Sequence, residues 1–228
     1  MALPLRTSLV FFPLRFIFDK KIVSPHINTK ELFTYGVPSL FTLVGLTSLI
    51  SADIILAKHF FSAHQAGIYA GLSLVGRVIF YLSSPIASVM FPIIVQKHSK
   101  KESFTNTFIL SLAMVLGPSL LLTAFYFLFP DFTLLFFLKK QEYLEASKYV
   151  GLFGIFISLY CCLTIICNFY LSIRKTKIFL PIVLGAIAQI VLINIYHQNF
   201  MQLILISVII TFLLIIGLLI YYPYATKK

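Results

Sequence analysis

The chain has 228 residues, of which 60% are hydrophobic and 11% are charged, and its formal net charge is +11. This composition excludes a disordered chain and disfavours an ordinary soluble domain. The basic residues stand in short clusters between apolar blocks and not along one face, so the sequence predicts no nucleic-acid partner.

The apolar blocks are about 20 residues long, which is the length that an α-helix needs to cross a membrane. Residues 1–34 are predicted to form an interfacial or linker segment, because Pro13 and Arg15 interrupt their apolar run. One bundle of six transmembrane helices is predicted across 35–224, followed by a tail at 225–228. The predicted spans are about 35–58, 66–91, 104–129, 149–171, 178–196 and 200–222. The fold class is therefore all-α, a polytopic membrane protein.

Local signals add detail to this outline. Pro85 and Pro92 are expected to bend or end the second span. The long loop after the third span is expected to hold a short interfacial helix. The three cysteines lie together in the fourth span without metal-ligand spacing, so we expect them to be packing residues and not a disulfide framework.

Basic residues are distributed unequally between the two sets of loops. If the amino terminus is cytoplasmic, the outer loops carry four basic residues: Lys58, Lys139, Lys140 and Lys148. The inner segments then carry thirteen: Arg6, Arg15, Lys20, Lys21, Lys30, Lys97, Lys100, Lys101, Arg174, Lys175, Lys177, Lys227 and Lys228. Positive charge accumulates on the cytoplasmic side of membrane proteins, so both termini are predicted to be cytoplasmic.

The first two spans form a hairpin in which each helix carries one charge, Asp53 in the first and Arg77 in the second. Charged side chains at hydrocarbon depth are costly and commonly mark function. Two interpretations stay open. The pair can staple the hairpin, or it can face a water-filled cavity in which the guanidinium of Arg77 binds a phosphate. Lys58 lies at the outer mouth of such a cavity, and Asn168 either joins helices or lines the same pathway.

Motifs for nucleotide binding, zinc hydrolysis and serine hydrolysis are absent from the sequence. The outer loops are also too short for a catalytic module. We therefore predict neither catalytic residues nor an enzyme, and neither a cofactor nor a metal site.

Several short motifs resemble the second half of bacterial lipid-linked oligosaccharide flippases, which belong to the superfamily that includes multidrug exporters. They are YGVPSL at 35–40, Asp53, AHQAGIYA at 63–70, GR at 76–77, MFP at 90–92 and NFYLSIRKTK at 168–177. The resemblance extends over roughly residues 30 to 222. It implies Asp53 and Arg77 as cavity charges, and Gly67 and Tyr69 as the hairpin turn.

The resemblance also implies a function. Flippases of this family move an undecaprenyl-pyrophosphate-linked oligosaccharide across the bacterial inner membrane for O-antigen, lipopolysaccharide or capsule synthesis, without changing a covalent bond. They have about twelve spans in two bundles, whereas this chain has six and matches the carboxyl-terminal bundle. Membrane lipid and a second six-helix bundle, either a separate chain or a second copy, are therefore expected partners. The alternatives are half of a multidrug-type exporter, a non-enzymatic remnant, or a membrane enzyme of polysaccharide assembly.

Overall fold

The computed structural model describes residues 29–226, which divide between two compact units, Met1–Gly36 and Val37–Lys228. The predicted segment at 1–34 lies mostly outside the described residues. The described part holds α1 (Thr29–Phe60), α2 (Ala63–Ser99), α3 (Thr105–Leu128), α4 (Pro130–Leu138), α5 (Ser147–Ser172), α6 (Phe179–Ile195) and α7 (Phe200–Thr226). Two short 3-10 helices, Gln141–Ala146 and Thr176–Ile178, precede α5 and α6.

The predicted all-α class and six apolar helices are confirmed. Six helical segments are long and apolar enough to cross a membrane. They are Leu32–Phe60, Ala63–Ser99, Thr105–Leu128, Gln141–Ser172, Thr176–Ile195 and Phe200–Tyr224. The predicted helix in the long loop is also present, as α4, which begins with Pro130 where a missing N–H costs little.

The first hairpin differs from its predicted boundaries. α1 begins at Thr29, earlier than the predicted start at residue 35. α2 begins at Ala63, where the Ser62 hydroxyl accepts a hydrogen bond from the backbone N–H of Gln65 and caps the helix. The turn is therefore the two residues 61–62. The assignment of Gly67 and Tyr69 to the turn was wrong, because both lie inside α2.

Two prolines also fail to end α2, which continues to Ser99 through Pro85 and Pro92. A proline removes the N–H that would bond the carbonyl four residues earlier. At Pro85 that carbonyl belongs to Tyr81, and the Ser84 hydroxyl donates to it at 3.3 Å. Serine side chains can replace backbone donors in this way, which lets apolar helices tolerate proline.

The helix α5 forms the centre of the unit Val37–Lys228. Within its apolar window 78% of residues are buried, compared with between 28% and 39% for the other five segments. It packs against α2, α3 and α7. Its three cysteines are buried and free, as expected of packing residues. Hydroxyls join it to its neighbours, since Thr123 on α3 shares a hydrogen bond of 2.8 Å with Ser158, and Tyr170 donates to the Leu218 carbonyl at 2.6 Å.

Helix α2 reaches α5 closely enough that one position requires glycine. A Cβ added to Gly76 would collide with the buried ring of Phe153. At Gly67, in the same helix, an added Cβ would meet nothing within 4 Å. Small residues are common where apolar helices approach each other in this manner.

We therefore expect Gly76→Ala to lower the free energy of unfolding by about 1–3 kcal/mol, because Phe153 has to move out of a packed core. Gly67→Ala is the matched control, and it should be neutral or slightly stabilising because alanine favours helix. The measurement is stepwise unfolding of the purified chain by sodium dodecyl sulfate in mixed micelles. Equal stability of the two variants would mean that α2 and α5 are not this close.

Candidate functional site

The buried polar groups of the first hairpin gather on one face of α1. The positions involved are Leu46, Leu49, Ile50 and Asp53, whose spacing of three, four and seven residues places them on one side of a helix. Three contribute a backbone carbonyl and the fourth contributes its carboxyl group. Side chains from α2, α5 and α6 donate hydrogen bonds to them.

Asp53 is completely buried, with 0% of its surface exposed. The hydroxyl of Tyr69 on α2 donates to its Oδ2 at 2.8 Å, and its Oδ1 has no hydrogen-bond partner within the described part of the chain. Burying a carboxyl group is costly unless hydrogen bonds satisfy it, so the Tyr69 hydroxyl is what makes this position tenable. The carboxyl group faces packed protein in this structure, which agrees with the stapling interpretation of Asp53 and not with the water-filled cavity.

Arg77 lies two helical turns beyond Tyr69 on the same helix, and its side chain is half-buried. Its Nη2 donates to the carbonyl of Ile50 at 2.8 Å, whereas its buried Nε has no hydrogen-bond partner in residues 29–226. Among the described residues, the ion pairs shorter than 4.0 Å do not include Asp53 with Arg77. The two charges share one neighbourhood but bind different groups of α1 and α2.

Two further side chains reach α1 from the other helices. The hydroxyl of Tyr160, on α5, donates to the Leu46 carbonyl at 3.0 Å. The amide of Gln189, on α6, donates to the Leu49 carbonyl at 3.1 Å and to the Ser207 hydroxyl of α7 at 2.7 Å. Gln189 therefore joins three helices, which is the role expected of a lone amide in a span.

The remaining predicted site residues lie elsewhere. Lys58 is exposed in the last turn of α1. Asn168 is half-buried and donates to the Thr164 carbonyl of its own helix at 2.9 Å, so it does not join helices through this bond. Sequence reasoning missed the binding roles of Tyr69 and Tyr160. The sequence did offer a signal for these roles. Both tyrosines lie inside apolar helices, where a buried hydroxyl needs a hydrogen-bond partner.

The described residues contain no group of three or more His, Cys, Asp or Glu side chains that could hold a metal ion. No family model matches the chain, and neither a curated protein nor a solved structure matches it. The resemblance to flippases therefore stays a prediction that depends on the short motifs.

The triple contact of Gln189 leads to a stability prediction. Gln189→Leu should lower the free energy of unfolding by about 1–2 kcal/mol, since it removes two interhelical hydrogen bonds. Asn194→Leu is the matched control on α6, because the Asn194 amide is exposed and donates to Ile190 in its own helix. Unfolding by sodium dodecyl sulfate in mixed micelles measures the free energy of unfolding of both variants. A cost of Asn194→Leu as large as that of Gln189→Leu would contradict the bridging role.

Proposed function

We propose that the chain is one six-helix half of a transporter that moves an undecaprenyl-pyrophosphate-linked oligosaccharide across the bacterial inner membrane, with both termini in the cytoplasm. The motifs of α1, α2 and α5 support the family, and the excess of basic residues in one set of loops supports the orientation. The cargo would enter O-antigen, lipopolysaccharide or capsule synthesis. No bond of the cargo would change, so the role is transport and not catalysis.

The observation that carries this proposal is the difference in access between the two charges. Asp53 is sealed by Tyr69 and its packed surroundings, whereas Arg77 is half-buried in the middle of an apolar helix. Of the two charged residues, the one that is not fully buried is therefore the cation. A guanidinium presents a planar set of donors that matches a phosphate, so the cargo is expected to carry an anionic head group.

The same difference argues against the multidrug alternative. An exporter of cationic drugs needs a carboxylate or an aromatic surface that the drug can reach. Asp53 has no exposed surface in this structure, and its Oδ2 is already bound to Tyr69. A pyrophosphate-linked cargo agrees better with an accessible Arg77.

A second bundle is part of the proposal, because alternating access by rocking requires two bundles. The side of α1 that points away from the other helices forms, with Ile190 of α6, an apolar groove of about 610 Å³. Its wall includes the exposed Leu40, Val44 and Ile55. We assign this groove to the partner bundle, which is either a separate chain or a second copy of this one.

The test is Arg77→Ala in cells that depend on the native gene for surface polysaccharide. We expect a loss of exported polymer of about tenfold or more, with normal amounts of the chain in the membrane, because alanine removes both the charge and the planar set of donors. Arg77→Lys should retain part of the export, since it keeps the charge but loses the planar set of donors. Lys140→Ala, an exposed charge at a helix end, is the control.

Normal export by Arg77→Ala would remove the cargo-binding role. A different result would favour the enzyme alternative, namely loss of polymer while lipid-linked units still reach the outer leaflet. The two outcomes are separated by labelling the lipid-linked sugar from outside the cell.

A further inference from the structure

A second pocket lies at one end of the bundle, where the α1–α2 turn, the beginning of α5 and the α6–α7 connection meet. Its volume is about 420 Å³, within the range of small-molecule sites. Each of these three regions contributes lining residues, among them Gln65, Tyr149 and Asn199. We call this cavity the end pocket. It is separate from the Ile50 carbonyl that binds Arg77, and it shares no lining residue with the apolar groove along α1.

The lining of the end pocket combines amides, one acid, one base and aromatic rings. The amides belong to Gln65, Gln198 and Asn199, and the charges belong to Glu145 and Lys148. Amides both donate and accept hydrogen bonds, and the two charges add one strong acceptor and one strong donor. The formal charge of the lining is balanced, so the pocket suits a neutral ligand with many hydroxyl groups.

Aromatic rings form the apolar part of the wall. The ring of Phe200 is surrounded by Phe61 at 5.0 Å, Tyr69 at 5.3 Å and Tyr149 at 5.7 Å, as measured between ring centroids. This cluster holds Phe200 in place and presents an apolar surface beside the polar side chains. A sugar ring has the complementary structure, with an apolar C–H face and hydroxyl groups around its edge.

Two polar side chains of the pocket remain available to a ligand. The backbone N–H of Gln198 donates to the Gln202 side chain at 2.9 Å, but its side-chain amide takes part in no hydrogen bond with the described residues. Lys148 forms no ion pair with those residues and lies over the ring of Tyr149, 5.0 Å from its centroid. Asn199, in contrast, already accepts from the backbone N–H of Gln202 at the beginning of α7. Gln198 and Lys148 are therefore the residues whose change tests ligand binding with the least effect on the fold.

Other ligand classes fit the end pocket less well. A phosphate group requires several basic donors, and among the described residues Lys148 is the only basic one in the lining. A metal ion requires several carboxylate or imidazole ligands, and Glu145 is the only such group that residues 29–226 contribute to the lining. An apolar tail would leave the side-chain amide of Gln198 in the lining without a partner.

We propose that the end pocket binds a neutral saccharide, with Gln198 and Lys148 bonding its hydroxyl groups and the Tyr149–Phe200 surface contacting its C–H face. The choice of a sugar rests on the proposed function as well as on the lining. In the predicted orientation this end of the bundle faces the outside of the cell. The site would thus hold the carbohydrate part of the cargo after its head group has passed Arg77.

The experiment measures binding by the full chain in a detergent that contains no sugar. Saturation transfer from protein to ligand is recorded by NMR with glucose, N-acetylglucosamine, a 6-deoxyhexose and their disaccharides as probes. We expect transfer to at least one probe. In Lys148→Met/Gln198→Ala its dissociation constant should rise about tenfold, as the loss of two hydrogen bonds predicts. Lys140→Met, at the same end but outside the pocket, should bind like the unaltered chain.

Two results would overturn the proposal: no transfer to any probe from a chain whose helical circular dichroism is intact, or equal binding by the double variant. Binding and transport are measured separately. If the chain binds a sugar but does not support polymer export in cells, this inference stands and the proposed function falls. If the chain supports export but binds no sugar, the proposed function stands and this inference falls.

Discussion

The structure of the first hairpin depends on hydrogen bonds that converge on a single face of α1. Tyrosine, arginine and glutamine side chains from three other helices reach the stretch from Leu46 to Asp53, and each bonds a different group. In an apolar environment, such bonds and close packing replace the hydrophobic effect as the means of holding helices together. The Tyr69–Asp53 contact is central among them, because without it a buried carboxyl group would have no partner.

This arrangement makes the two intramembrane charges unequal. Asp53 belongs to the internal framework, and Arg77 is tied to that framework through the Ile50 carbonyl while part of its side chain stays accessible. A bound carbonyl oxygen orients the guanidinium without neutralising it, so its charge remains available to an anion. The functional proposal therefore rests on the arginine, and the aspartate acts by fixing the relation of α1 to α2.

Much of the fold was predictable because hydrophobic block length and proline positions are local properties. The six helices and the short α4 follow from these patterns, and so does the packing role of the cysteines. The continuation of α2 through Pro85 was not predictable, since it depends on one serine hydroxyl meeting one carbonyl. The partner of Asp53 was missed for a related reason. Charge pairing suggested Arg77, whereas the register between α1 and α2 brings the Tyr69 hydroxyl to the carboxyl group first.

The most direct test of this account is a double-mutant cycle between Tyr69→Phe and Asp53→Ala, with the free energy of unfolding measured in mixed micelles. If the hydroxyl and the carboxyl group bind each other in the buried hairpin, the two changes should be non-additive by about 1–3 kcal/mol. Additive losses would show that the two side chains do not interact, and would contradict the sealed position assigned to Asp53.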